Sequence, residues 1–176
     1  MELLYDIATV IQTIAISLGV GTSTVAITSF FVAIADGHLD ATERRMMQPV
    51  YIILRVAMGL ILLTTIMEGI ALVTTFGTDV FGGAAFSAWT IIAVLFLNAY
   101  MMTKHLIPST FGPAIQAGSW YTLGFMTAMF AIGAQNFSYL SFLIGYGLFL
   151  VAAIAFVNGM MVYLKMRRPA DTPLAE

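Results

Sequence analysis

Apolar residues run along this chain in five long blocks, about 7–35, 50–75, 84–107, 114–134 and 138–164, separated by short polar gaps. A helix crossing the hydrocarbon core of a bilayer needs roughly 20 predominantly apolar residues, and each block reaches that length. The pattern predicts an all-α, polytopic bundle of five transmembrane helices. Residues 1–168 then form a single transmembrane domain, and 169–176 a disordered polar tail. Basic residues fall beside alternate gaps: Arg44, Arg45 and Arg55 after the first block, Lys104 after the third, Lys165, Arg167 and Arg168 after the fifth. By the positive-inside bias, the N-terminus lies outside and the C-terminus in the cytoplasm, as a multi-pass protein of a bacterial-type cytoplasmic (inner) membrane.

The first block carries a stripe of small or polar side chains, Ala8, Gln12, Ala15, Gly19, Thr22, Ala26, Ser29 and Ala33. Their alternating spacing of four and three keeps them on one helix face. Lipid has no preference for small residues, whereas close helix contact does, so this helix is expected to pack inside the bundle. Asp36-Gly37 ends it. Asp40-Ala41-Thr42-Glu43 then has capping-box spacing and predicts a short cytoplasmic helix ending at Pro49. A calcium-binding loop over this stretch is excluded, because its first two ligand positions would be Val32 and Ile34. Later in the chain, 96–102 in the third block echoes 156–162 in the fifth, the pattern that a duplicated helix pair would leave.

Composition narrows the chemistry. With 60% apolar and 9% charged residues, the chain exposes apolar surface that only lipid accommodates. The absence of cysteine excludes disulfides, thiolate metal sites and iron–sulfur clusters. A net charge of −2 with scattered basic residues offers no nucleic-acid patch. The acidic N-terminal segment, Met1 to Asp6, lacks the basic region of a secretory signal, so the first block reads as a retained helix. Function is therefore expected inside the membrane or at its two faces.

Polar residues within the blocks are the candidates. Glu68 lies well inside the second span, with Thr64 and Thr65 one turn before it and Gln12 at a matching depth on the first helix. A carboxylate in hydrocarbon is paired, protonated or functional, and this notch suits a proton or small cation. Arg55 cannot pair with Glu68 directly. Thirteen residues of helix place it about 20 Å away and roughly 220° around, where it anchors the interface or holds a lipid phosphate. Asn98, Gln116 and Asn158 sit near the cytoplasmic ends of their spans, as glue between helices or as the inner lining of a pathway. Trp120 and Tyr121 read as packing or interface residues. His38 and His105, with Met101, are the residues that could hold copper or haem, although their spacing is not that of a known site. Ser119 has no base near it in sequence.

Taken together, the small-residue first helix ending at Asp36-Gly37, the segment Leu97-Asn98-Ala99 and the run Ser119-Trp120-Tyr121 resemble small bacterial integral membrane proteins of five helices. That resemblance implies the five-helix fold and carries no particular activity. The leading expectation is a small ion or solute channel or transporter in the lipid bilayer, working as a homo-oligomer. Its pathway would be lined by Glu68, Thr64, Thr65, Gln12, Asn98, Gln116 and Asn158. The alternatives are a membrane anchor of a redox assembly binding haem or quinone, and a non-catalytic assembly partner.

Overall fold

A computed structural model describes residues 2–36, 41–77, 82–108, 110–134 and 136–166 of the protein; the side chains of 33–36, 41–44, 46 and 165 are outside that description. The described residues form five helices: α1 (Glu2–Asp36), α2 (Ala41–Phe76), α3 (Gly83–Thr103), α4 (Phe111–Ala131) and α5 (Tyr139–Met166). Four of them, all but α4, are long and apolar enough to cross a membrane. The expected disordered tail at 169–176 and the break at Gly37 lie outside the described residues.

Cross-helix contacts set the direction of each neighbour. Thr9 meets Glu68 while Gln12 meets Thr65, so α1 and α2 run antiparallel. Thr24 bonds Tyr121 and Val20 approaches Gly124, which makes α1 antiparallel to α4 as well. Ala114 and Val157 line one cavity while Met129 and Ser141 line another, so α4 opposes α5. Gly83 at the start of α3 lies against the backbone of Phe137 and Tyr139 at the start of α5, and α3 therefore runs parallel to α5. One face of the bundle thus collects the C-terminal ends of α1, α3 and α5 and the N-terminal ends of α2 and α4. Arg44, Arg45 and Arg55 on α2, Lys104 just past α3 and Lys165 in the last turn of α5 belong to segments at that face, while Arg167 and Arg168 lie outside the described residues.

The stripe on α1 is where small residues were expected to matter. Ala8, Ala15 and Gly19 are buried, and Gln12, Thr22, Ala26 and Ser29 are partly buried; Ala33 lies outside the described side chains. α1 is not enclosed on all sides, however. Ile7, Val10, Ile14, Leu18 and Val25 cover its other face and stay exposed. The enclosed helix is α4, with nine buried residues against five in α3. It contacts α1, α3 and α5, and it carries Gln116, Ser119, Thr122 and Thr127. A helix surrounded by protein needs no apolar coat on every side, which accounts for its lower apolar content.

Helix ends differ from the sequence reading in one instructive place. The short helix expected to end at Pro49 is instead continuous with the second span, and α2 runs through the proline. Proline removes the N–H that the carbonyl four residues earlier would use. At a membrane edge water or headgroups can satisfy that carbonyl, so the helix survives. The other ends follow local rules. Gly77 and Gly133 adopt positive φ just past α2 and α4, and Ser138 caps α5 by accepting the Ser141 N–H.

The core is Ile61, Ile91, Leu95, Trp120 and their neighbours, with the Trp120 ring fully buried. Trp120 sits directly on Gly19, where an added Cβ would overlap the ring. Gly19→Ala is therefore expected to destabilise the bundle by about 1–3 kcal/mol through overpacking. Gly21→Ala, whose Cβ would meet open space, should be neutral or slightly stabilising. Unfolding of the two variants in detergent micelles distinguishes them.

Candidate functional site

Two polar clusters lie inside the bundle at different depths. The first joins α1 to α2. Glu68 Oε2 accepts a hydrogen bond of 2.9 Å from Gln12 Nε2, and Glu68 Oε1 accepts one of 3.0 Å from Thr9 Oγ1. Gln12 Nε2 also donates to Thr65 Oγ1 at 3.0 Å, so both amide protons have acceptors. The single Thr9 hydroxyl proton is shared between Glu68 and the Tyr5 carbonyl. Each carboxylate oxygen is thus held by a neutral donor from the facing helix, and neither by a cation. Glu68 itself is half-buried.

Sequence reasoning placed Gln12 and Thr65 beside Glu68 and missed Thr9. The signal was present: Thr9 precedes Gln12 by three residues, which puts both on one helix face. Thr64 is fully buried and donates within its own helix, to the carbonyls of Leu60 and Ile61. Arg55 is exposed, three to four turns before Glu68 on α2.

The second cluster joins α3 to α4, with α2 at its edge. Asn98 Nδ2 donates to the Gly112 carbonyl and to Gln116 Oε1, each at 2.9 Å. Two acceptors on the amino side fix the orientation of the amide. Thioethers complete the cluster: Met102 Sδ lies 3.5 Å from Asn98 Nδ2, and Met58 Sδ lies 3.5 Å from Gln116 Nε2. Gly112 is needed here, because a Cβ would run into the Met102 side chain. Asn158, grouped with these amides by depth, instead donates to the Ile154 carbonyl of its own helix. Asn98 and Asn158 occupy matching places in the 96–102 and 156–162 echo, yet only Asn98 reaches across to another helix.

Between the clusters four helices each contribute a buried apolar side chain: Ile16 from α1, Ile61 from α2, Leu95 from α3 and Trp120 from α4. This layer is closed, with Leu95 and Trp120 at 0% exposure and Ile61 at 1%. Among the described residues, three buried side-chain atoms have no hydrogen-bond partner: Ser23 Oγ, Asn98 Oδ1 and Trp120 Nε1. Ser23 is on α1, one turn beyond Gly19, and the other two belong to the second cluster and the layer above it.

His105 is exposed on the turn after α3, with φ of 55°. Its N–H bonds Met102 O and the Leu106 N–H bonds Met101 O, the pattern of a helix terminated by a left-handed residue. It therefore holds the position glycine usually takes. His38 lies outside the described residues, and Met101 is partly buried near the end of α3. Among the described residues no group of three or more His, Cys, Asp or Glu side chains is placed to hold a metal.

The fold and these clusters define a class, a helical bundle with membrane-span-like helices, which is compatible with an integral membrane protein. No family model, curated protein or solved structure matches the chain.

Asn98→Leu should lower stability by about 1–3 kcal/mol, because it strands the buried Gln116 oxygen and the Gly112 carbonyl. Asn158→Leu, which breaks only a bond within one helix, should change stability far less. Denaturant titration in mixed micelles reads both. His105→Gly is expected to leave the helical content unchanged and to stabilise the bundle by about 1 kcal/mol, by relieving a left-handed residue.

Proposed function

We propose that the protein is a small proton-linked carrier of an ion or solute, embedded in a cytoplasmic membrane. In this reading all five helices cross the bilayer, with the N-terminus outside and the C-terminus inside. α4, at 21 residues, has a length of roughly 31 Å, enough for the hydrocarbon core, and its polar residues are carried on an enclosed helix. The orientation rests on Arg44, Arg45, Arg55, Lys104 and Lys165, which belong to segments at one face.

The observation that carries the proposal is the Glu68 carboxylate, held from across the helix interface by Thr9 and Gln12 within a long apolar helix. An ionisable group at such depth is costly to keep unless its charge state is used. The closed layer of Ile16, Ile61, Leu95 and Trp120 favours a carrier over an open pore, since polar groups lie on both of its sides. The unpartnered Asn98 Oδ1 and Trp120 Nε1 support a second arrangement of α4 or a bound solute that would satisfy them. Glu68 then couples the outer cluster to proton uptake, while Asn98 and Gln116 contact solute on the inner side.

Flux of protons into liposomes under a pH gradient tests the proposal. Glu68→Gln removes the titrating group while its amide oxygen still accepts from Gln12 and its amide nitrogen donates to Thr9 Oγ1, whose own proton goes to the Tyr5 carbonyl, so the proton flux should be abolished while the fold is retained. Unchanged flux and an unchanged pH profile would remove Glu68 from the mechanism and leave the two clusters as devices that set helix register.

A further inference from the structure

The flank between α4 and α5 carries two cavities that share Tyr121 and Phe149 and so form one slot. Its upper part, about 610 Å³, runs along Phe142, Gly145 and Tyr146. Its lower part, about 440 Å³, runs along Ala152 and Val157 to Ala114 in the first turn of α4. From Ser141 to Val157 the slot follows about 16 residue steps of α5, roughly 24 Å of a hydrocarbon core about 30 Å thick. No charged side chain lines it. The hydroxyls of Tyr121 and Tyr146 are engaged with Thr24 and Ser119, so the walls present ring faces and aliphatic groups.

The two ends of the slot differ in charge. Its lower end opens where α4 begins and α5 ends, on the face of the segments that carry Arg45, Arg55 and Lys104, and Lys165 follows Val157 by about two turns of the same helix. Toward the upper end, the sequence between α4 and α5 and between α2 and α3 contains no Lys or Arg. α5 is also the least covered helix: 11% of its apolar window is buried, against 22–28% for the other three apolar helices.

We propose that the slot holds one acyl chain of an anionic phospholipid, with the headgroup at the basic face. The chain supplies along α5 the packing that no helix of the bundle provides, and the basic residues attract the phosphate. The site is independent of Glu68 and of any transport activity. It needs the side wall of α4 and α5, with Ile27 of α1 at the lower part and Phe137 at the upper.

Native mass spectrometry tests it. The protein is released with mild detergent from vesicles containing equal amounts of phosphatidylglycerol and phosphatidylcholine. The expected result is one retained phosphatidylglycerol per chain. Gly145→Phe and Ala152→Phe place a ring into the upper and lower parts, and an added Cβ at Gly145 meets nothing within 4 Å. Each plug should lower retention roughly tenfold or more, the scale expected when several methylenes lose their burial. Gly147→Phe lies on the same helix, also faces open space and lines neither cavity, so it should retain the lipid. Lipid-free wild type, equal retention of the two headgroups, retention unchanged by both plugs, or equal loss in Gly147→Phe would each overturn the proposal.

Discussion

The seat of Trp120 on Gly19 is the contact on which the rest of the bundle depends. It lets the largest side chain of the core lie flat against the backbone of α1. Apolar side chains gain little from leaving lipid for one another, so association within a membrane rests on close packing and on hydrogen bonds between helices. A glycine facing a tryptophan supplies the packing. Once α1 is set at this depth on α4, Thr24 meets Tyr121 one turn away on the same interface. The depth of Thr9 and Gln12 opposite α2 follows from the rigidity of α1.

Polar contacts then select the register that packing permits. Glu68 draws two donors from α1, Asn98 draws two acceptors from α4, and Ser119 pairs with Tyr146 of α5. Each is a neutral or singly charged contact between facing helices. Such bonds contribute on average only about 0.6 kcal/mol each in membranes, yet a shift of one residue would break several together. Register is therefore specified by coincidence of weak bonds rather than by one strong pair. The closed apolar layer between the two clusters separates the half-buried carboxylate from the fully buried amides.

The side wall has a different logic. α1, α2 and α4 bury small and polar residues against one another, whereas α5 offers Gly145, Gly147 and Gly159 to open space. The flank along α5 is therefore the part of the bundle least covered by its own helices.

The five helices, the stripe on α1 and the pairing of Glu68 with Gln12 were all legible in the sequence. Each depends on information local to a helix: run length, a spacing of three and four, or a match in depth between two spans. Thr9 was legible by the same spacing and was overlooked. Helix rotation and neighbour choice were not. Thr64 and Thr65 are adjacent in sequence, yet one donates to its own backbone and the other meets Gln12. Asn98 and Asn158 share a motif, yet only one crosses to another helix. Hydrophobic periodicity reports the face that avoids water, and in lipid almost every face does so. Which face meets protein, and which helix is enclosed, was decided only by the tertiary packing, because only the assembled neighbours distinguish a protein surface from an equally apolar solvent.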